Sequence, residues 1–328
     1  MLNDRITAPA NPRQYPVVLI AFNRPSMVRQ VLDSIRPAKP PILMVCIDGP
    51  RDGRQDDPEQ IEATAKVFEE VDWPCEVQIK RQDKNLGCRY NPAFAIQWML
   101  DSYGAGVIME DDCVASPSFL PFCWELLTKY EHDSRVASIS GIGLHLGLTQ
   151  GASYGFSRYP YISAWATWKD RWDEVDLELR DWPEIKKQRL LQAVFPSRSV
   201  SEFWARIMER VFTGDKRTET AWDFQWSLLN FLSHRVCIVP AKNLICNIGS
   251  DADATNSLVT DWFLNVKAEE LEFPLTHPKY MVVDTGADRE AERLRFSLRP
   301  LHIRASRRVW RNVKAAWLTR SGKKGRER

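Results

Sequence analysis

The chain is organised around residues 103 to 119, which read Tyr-Gly-Ala-Gly-Val-Ile-Met-Glu-Asp-Asp-Cys-Val-Ala-Ser-Pro-Ser-Phe. Its apolar run at 107–109 predicts a buried strand of a parallel sheet. Three carboxylates follow this run without a gap, Glu110, Asp111 and Asp112. Because burying unpaired charges is costly, we expect the strand to end there, with the acids facing water or a cation.

The position of these acids after a strand indicates a binding site. Open α/β sheets place their sites at the carboxyl ends of the strands. Carboxylate oxygens suit hard cations such as Mg²⁺ or Mn²⁺, and a phosphate can complete the coordination of these ions. The hypothesis is therefore a divalent cation that bridges the protein to a diphosphate. The alternative is a solvated acidic turn that follows a strand.

Strands and helices are predicted to alternate around this stretch. Further strands are predicted at 15–22, 42–47, 76–81, 136–140 and 237–240, and helices at 26–35, 58–71, 92–100, 119–127, 164–172, 173–217 and 220–233. This alternation predicts an α/β fold of the Rossmann-like type, with a mostly parallel central sheet and helices on both faces.

Polar residues follow four of the predicted strands: Asn23 with Arg24, then Asp48, Asn85 and the acid triplet. Right-handed crossovers keep the strands pointing the same way, so these residues should meet at one edge of the sheet, in the crevice where a nucleotide would lie. The sequence has no glycine-rich phosphate-binding loop. If a diphosphate binds, a metal is therefore expected to hold it.

The composition limits the class of protein. With 328 residues, 44% of them apolar, the chain can fill one large α/β core or two smaller ones. Its seven cysteines are scattered without a C-x-x-C pair, which favours the cytosol. No segment reaches the roughly 18 apolar residues that span a bilayer, and the first residues lack an apolar signal core. We therefore expect a soluble or peripheral cytoplasmic protein.

Eight short motifs lie between residues 15 and 255, at 20–25, 47–51, 85–88, 109–113, 157–160, 164–168, 222–226 and 243–249. In order and spacing they resemble those of the GT-A class of nucleotide-sugar glycosyltransferases. The likeness is to a bacterial group labelled glycosyltransferase family 2-like or hemolytic protein HlpA-like, and more distantly to the N-acetylglucosaminyltransferases of N-glycan processing. The resemblance implies a GT-A-type sheet and transfer of a hexosyl or N-acetylhexosaminyl group.

The resemblance also implies roles for the acids. Asp112 would be the direct ligand of Mn²⁺ or Mg²⁺, while Glu110 and Asp111 would hold the ribose, the sugar or metal-bound water. Asp223 matches the acid that acts as general base in inverting relatives, so inversion at the anomeric carbon is expected. As an acid at the start of a helix, Asp223 could instead offset the helix macrodipole.

The donor site would take three more residues. Asp48 matches a strand-end acid that accepts from the uracil N3–H, which implies a UDP-sugar donor, and Arg24 matches a basic residue near the nucleotide. Asn85 is a ribose contact or a turn residue. From the residues alone, Asp48 could cap the turn that follows it, and Arg24 could pair with Asp48 or with solvent.

Aromatic residues are assigned to the acceptor side. The chain has 13 Trp, concentrated between residues 165 and 226. Trp rings often stack on sugars, although packing in the core is the commoner role for any single one. Trp222 and Trp165 lie within two of the motifs and are predicted to bind the acceptor, which would be a surface glycan, a lipid-linked sugar or a protein.

The C-terminal tail differs in charge from the body. From residue 289 to 328 there are 14 Lys or Arg and 3 Asp or Glu, a net charge of +11, which leaves −9 on the remainder. A helix after Pro300 would carry Trp310 and Trp317 on an apolar stripe, the pattern of a helix on an anionic membrane surface. The alternative is a helix packed on the body. No nucleic-acid partner is expected, because no reader module accompanies the charge.

The expected organisation has five parts. Residues 1–14 are a disordered lead-in, 15–150 the nucleotide-sugar-binding half of the GT-A domain, 151–255 the acceptor-binding half, 256–298 a C-terminal extension and 299–328 the basic amphipathic helix. The expected location is the cytoplasm, with attachment to the inner face of the membrane through the tail. Two other functions stay open: a sugar nucleotidyltransferase, and a non-catalytic carbohydrate- or membrane-binding protein.

Overall fold

The computed structural model describes residues 13–143, 151–215, 222–249 and 266–295. The strands within these ranges are β1 (Val17–Ala21), β2 (Ile42–Ile47), β3 (Glu76–Arg81), β4 (Ala105–Glu110), β5 (Cys113–Ala115), β6 (Val136–Ser140), β7 (Tyr154–Ser157), β8 (Ala164–Trp168), β9 (Val236–Pro240) and β10 (Ile245–Asn247). The α-helices are α1 (Pro25–Ile35), α2 (Asp57–Val67), α3 (Gly87–Tyr103), α4 (Phe119–Lys129), α5 (Lys169–Trp172), α6 (Trp182–Lys187), α7 (Leu190–Val194), α8 (Arg198–Phe212), α9 (Asp223–Leu232) and α10 (Thr285–Arg295).

Eight of these strands form the central sheet, in the order β3-β2-β1-β4-β8-β6-β9-β7. The strands β3, β2, β1 and β4 are parallel, and β9 is parallel to β6. Only β8 and the edge strand β7 run against their neighbours within the described sheet. The strands β5 and β10 form a separate two-stranded sheet. The predicted mostly parallel α/β sheet is therefore confirmed.

The two faces of the sheet bury two separate cores. Alternate residues of a strand point to opposite faces, so Leu19 and Ile20 enter different cores. Leu19 packs in a core that also contains Val28 of α1 and Phe122 of α4. Ile20 packs in the other core, which contains Ile96 of α3. Helices therefore cover both faces, as the alternating pattern predicted.

The prediction of a helix over 164–168 is wrong, because these residues form β8. This strand lies antiparallel between β4 and β6, and all five of its residues are buried. Trp165 enters one core and Ala166 the other, the alternation of a strand. Within the predicted helix at 164–172, residues 169–172 alone are helical. Pairing with two distant strands overrides the local pattern here.

Two helical predictions need smaller corrections. The helix predicted at 92–100 begins earlier, at Gly87, and contains Pro92 in its interior. Its first donors are satisfied by Asp48, whose carboxylate accepts the backbone N–H of Leu86 from a loop 38 residues away. The predicted helical stretch 173–217 contains three helices in its described part, α6, α7 and α8. The helix predicted at 220–233 is α9.

The helix α10 is fixed to the edge of the sheet by buried polar contacts. Ser157, at the end of β7, donates its hydroxyl to Asp288 at 2.6 Å, and the backbone N–H of Arg158 donates to the same carboxylate at 3.2 Å. Tyr159 donates its hydroxyl to Glu292 at 2.6 Å. Asp288 is only 5% exposed, and burial raises its pKa to about 6.

Asp288→Asn is expected to change how stability depends on pH. The pKa of Asp288 in the folded protein lies above its unfolded value of about 3.9. Between these two pKa values the native state therefore binds more protons than the unfolded state. As a result, the free energy of unfolding falls as the pH rises. The substitution should remove about 2 kcal/mol of this loss between pH 4 and 7. Chemical denaturation at several pH values measures the slope. Asp284→Asn, which keeps a side-chain oxygen at the start of α10, is the control; parallel curves for Asp288→Asn and the unmodified chain would contradict the expectation.

Some predictions about the ends of the chain lie outside the described residues. These are the lead-in at 1–14, of which only 13 and 14 are described, and the basic helix at 299–328. The domain boundaries stay predictions. Strands from both predicted halves, 15–150 and 151–255, lie in one central sheet. None of the helices in the described ranges has the length and hydropathy needed to cross a membrane.

Candidate active site

The adjacent strands β1 and β4 bring Arg24 to the acid triplet. Ile20 lies opposite Glu110 in the parallel pairing of these strands, so the loops that follow them emerge side by side. Arg24 donates through Nε to Asp111 at 3.2 Å and through Nη2 to Asp112 at 3.2 Å. A further bond joins Nη2 to the other oxygen of Asp111. One guanidinium therefore bridges two neighbouring carboxylates.

The acids of the triplet repel one another in a buried setting. The Asp111 side chain is 5% exposed, and burial raises its pKa to about 6, with the charge of Arg24 acting in the opposite direction. Burial, together with the charges of Asp112 and Asp111, raises the pKa of Glu110 well above its usual range. One guanidinium therefore does not offset the burial and mutual repulsion of these carboxylates. Such a site favours an additional cation.

A second polypeptide segment supports Asp112 from the opposite side. The strands β5 and β10 pair so that Asn247 lies opposite Cys113. Asn247 donates its amide to Oδ1 of Asp112 at 3.1 Å and accepts the backbone N–H of Gly249 at 2.9 Å. The backbone N–H of Ile248 donates to the carbonyl of Asp112 at 2.9 Å. Both the side chain and the backbone of Asp112 are therefore held by a segment that is distant in the sequence.

The sequence analysis missed Asn247 and Gly249 as parts of this site. Both lie in the motif at 243–249, which was used for the resemblance without a role for either residue. Their place in this motif, far along the chain from the acids, is the signal that could have indicated a role in the site. Nothing local in the sequence pairs β10 with β5, because Asn247 and Asp112 are 135 positions apart.

Gly249 lies directly against the carboxylate of Asp112. A Cβ at this position would overlap Oδ2 of Asp112, so only glycine fits without a shift of the acid. Oδ1 of Asp112 is already held by Asn247. The close approach of the Gly249 backbone therefore defines the position of Oδ2, the second oxygen of this acid.

Gly249→Ala is expected to weaken metal binding by about tenfold, the effect usual for a change beside a ligand. The physical reason is that the added methyl group must push Asp112 out of its position. Calorimetric titration with Mn²⁺ measures the affinity. Gly286→Ala, in which the new Cβ meets only Asp284 at the start of α10, is the matched control. Equal Mn²⁺ affinity in the two variants would contradict the expectation.

Asp48 and Asn85 lie together at the end of β2. Asp48 is 5% exposed, and Oδ1 accepts the backbone N–H of Leu86 at 2.7 Å while Oδ2 accepts that of Gly87 at 2.9 Å. Asn85 donates to Oδ2 at 3.2 Å. Burial raises the pKa of Asp48, and these backbone bonds oppose the shift. Both carboxylate oxygens of Asp48 therefore hold the start of α3. The contacts of Asp48 and Asn85 with a nucleotide stay predictions.

A third cluster orders the loops after β1 and β2. Asp57, which is fully buried, accepts bonds from Nε and Nη2 of Arg51, both at 2.8 Å, and from the Asn23 amide at 2.8 Å. The hydrogen bonds from Arg51 are the main reason why the pKa of Asp57 falls to about 2. Asp57 therefore stays charged and ties together two of the loops that border the crevice. The sequence analysis assigned no role to Asp57.

Asp223 is the first residue of α9 and is half-buried. Its charge is one of those that raise the pKa of Glu110, so Asp223 lies within electrostatic reach of the acid triplet. The preceding residue, Trp222, stacks on Trp165 of β8, with ring centroids 5.9 Å apart and an interplanar angle of 22°. This contact fixes the start of α9 against the central sheet and so positions Asp223.

The two Trp residues assigned to the acceptor are buried. Trp165 is 0% exposed and Trp222 is 5% exposed, and both belong to a cluster with Trp172 and Trp226. The contacts seen here give both rings a packing role, and neither ring offers an open face to a sugar. Their assignment to acceptor binding stays a prediction.

The donor set of the acid triplet fits a hard divalent cation. Oxygens of Glu110 and Asp112 and the sulfur of Cys113 lie within 4.8 Å of one another. Burial raises the pKa of the Cys113 thiol well above its usual range, and the thiol donates to the carbonyl of Ser163 at 2.9 Å. This sulfur is therefore a thiol, and the carboxylate oxygens are the donors that suit Mn²⁺ or Mg²⁺.

The sequence matches no protein-family model and no curated protein. Among solved structures, the chain is similar to a mannosyltransferase from Pyrobaculum calidifontis in complex with GDP-Man and Mn²⁺, with 12% identity and a TM-score of 0.42. That match covers 76% of this chain and 61% of the mannosyltransferase. The chain is also similar to a UDP-glucose pyrophosphorylase complexed with UDP-glucose, with 11% identity, a TM-score of 0.32 and coverage of 70% and 90%. Both are distant similarities of architecture.

Proposed function

We propose that the protein is a metal-dependent glycosyltransferase that transfers a sugar from a nucleoside diphosphate, a UDP-sugar, to an acceptor hydroxyl with inversion. One observation carries the proposal: at the carboxyl end of β4, Glu110 and Asp112 share a site with Arg24, and Asp223 lies within electrostatic reach. This arrangement combines oxygen ligands, a cation and a further carboxylate at the carboxyl ends of the strands, where ligands bind in open α/β sheets.

The departing nucleoside diphosphate develops negative charge on a phosphate oxygen. Asp112 and Glu110 would hold a divalent cation, which stabilises that charge as a Lewis acid. Arg24 supplies a second positive charge from the loop after the neighbouring strand β1, and its planar guanidinium suits phosphate oxygens. Asn247 and Gly249 keep the Asp112 carboxylate in position. The crevice can therefore bind the donor and stabilise the leaving group.

The acceptor hydroxyl must lose its proton as it attacks the anomeric carbon. Asp223 is the residue proposed to accept this proton, because it is the carboxylate that α9 brings within electrostatic reach of the acid triplet. Attack by this hydroxyl in line with the departing diphosphate would invert the anomeric carbon. The acceptor is proposed to be a surface glycan, a lipid-linked sugar or a protein, reached from the cytoplasmic side.

Thermal unfolding with nucleotides tests the donor site. The midpoint is measured with UDP, GDP, CDP and dTDP, each with and without Mn²⁺, for the unmodified protein and for Asp112→Ala. We expect a rise with UDP that requires Mn²⁺ and is lost in Asp112→Ala. No shift with any nucleotide in the folded protein would contradict the proposal and favour a non-catalytic binding protein.

Turnover assays separate the two enzyme classes. A glycosyltransferase releases UDP from a UDP-sugar. The release is slow when the sugar is transferred to water and faster when an acceptor is present. A sugar nucleotidyltransferase instead releases pyrophosphate from a nucleoside triphosphate and a sugar 1-phosphate. Release of UDP that depends on Mn²⁺ is the expected result, and pyrophosphate release without transfer would replace the proposal by the nucleotidyltransferase.

A further inference from the structure

We propose that Arg24 is an internal cation that holds Asp112 until a divalent cation binds there, and that the released guanidinium then binds the diphosphate of the donor. The inference rests on the function proposed above. It makes metal binding the step that completes the nucleotide site.

The guanidinium holds the two acids unequally. Asp111, with its side chain 5% exposed, receives bonds from both Nε and Nη2 of Arg24. Asp112, with its side chain 13% exposed, receives one bond from Nη2 at 3.2 Å. Breaking one long bond to the more exposed acid costs less than breaking the fork to the buried one. The bond from Nη2 to Asp112 can therefore break while Nε stays bound to Asp111.

Arg24 and a bound cation would compete for one oxygen. Oδ1 of Asp112 accepts the amide of Asn247 at 3.1 Å, whereas Oδ2 accepts Nη2 of Arg24. A divalent ion on Oδ2, at the usual distance of about 2.1 Å, would lie within about 5 Å of Nη2, where like charges repel. Binding of the ion to Oδ2 therefore favours the release of Arg24 from this oxygen.

The released side chain is suited to a diphosphate. The side chain of Arg24 is 32% exposed, so part of it is accessible to a ligand from solvent. An arginine guanidinium is not deprotonated in proteins, so it stays charged here. A charged, planar fork that has lost one carboxylate partner is a ready site for phosphate oxygens. Metal and nucleotide should therefore bind with positive coupling.

Arg24→Gln tests this coupling through two affinities. Titration with MnCl₂ alone, followed by calorimetry, should show about tenfold tighter binding than in the unmodified protein, because the competing cation is gone. Titration with UDP in saturating Mn²⁺ should show binding about tenfold weaker or worse. Arg29→Gln is the matched control, because Arg29 lies on α1, the helix that Arg24 precedes, and pairs with the exposed Glu70. It should change neither affinity.

Each other result overturns the inference. If Arg24→Gln weakens both Mn²⁺ and UDP, Arg24 only supports the acid loop. If Mn²⁺ affinity is unchanged, Arg24 does not compete with the ion. If the unmodified protein binds neither Mn²⁺ nor UDP, the proposed function itself fails. Should Arg24→Gln not fold, Arg24→Lys is measured instead. An ammonium group cannot form the fork, so the Mn²⁺ and UDP affinities should change in the same directions but by less.

Discussion

Asp112→Asn is expected to lower the rate of sugar transfer by about 10³-fold or more, since it removes the charge that holds the metal at the departing diphosphate. Affinity for Mn²⁺ should fall more than about 100-fold, beyond the usual effect of a residue that only supports a ligand. The fold should persist, because asparagine keeps the size of the side chain and an oxygen for the Asn247 amide. Release of UDP and calorimetric titration with Mn²⁺ measure the two effects.

The control for this prediction is Asp101→Asn. Asp101 is an exposed acid near the end of α3 that pairs with Lys169, and it lies outside the candidate site. It should leave transfer and Mn²⁺ affinity unchanged. If Asp112→Asn keeps its Mn²⁺ affinity, or loses transfer only together with its fold, Asp112 is not the metal ligand.

Asp223→Asn is expected to slow transfer by about 10²–10⁴-fold, the usual contribution of a general base. Binding of Mn²⁺ and UDP should be nearly unchanged, because Asp223 approaches the acids from α9 and is not proposed to ligate the ion. The loss should therefore lie in kcat rather than in the affinity for the donor.

Glu59→Gln separates this role from an effect on the helix dipole. Glu59 is an exposed acid in the first turn of α2, and its replacement should cost a few tenths of a kcal/mol to about 1 kcal/mol of stability without affecting transfer. If Asp223→Asn shows only such a change in stability and keeps its kcat, Asp223 serves the start of α9 and another group accepts the proton.

Much of the parallel part of the sheet could be predicted from the sequence. The strands β2, β3 and β6 have the predicted bounds, and α4 follows the acids as expected. Continuous apolar runs bounded by turn residues are local signals, and right-handed crossovers fix the direction of successive parallel strands. The same rule places the loops after β1 and β4 on one side of the sheet, whereas the contact of Arg24 with Asp112 depends on the pairing of β1 with β4.

Other parts of the site depend on pairings that no local pattern shows. The segment of β8 is a strand rather than the predicted helix, because it pairs with β4 and β6, which lie far from it in the sequence. Asn247 reaches Asp112 across 135 positions, and Arg24 reaches Asp111 across 87. Contacts at such separations depend on the topology of the whole sheet.

The α/β class, the acid triplet at the end of a buried strand and the set of polar strand ends can be predicted from the sequence, because each depends on residues close together in the chain. The pairing of Arg24 with the acids, the support of Asp112 by Asn247 and Gly249, and the burial of Trp165 follow from the folded structure. Burial and charge pairing are properties of the packed sheet. A side chain acquires its partners only when distant strands have come together.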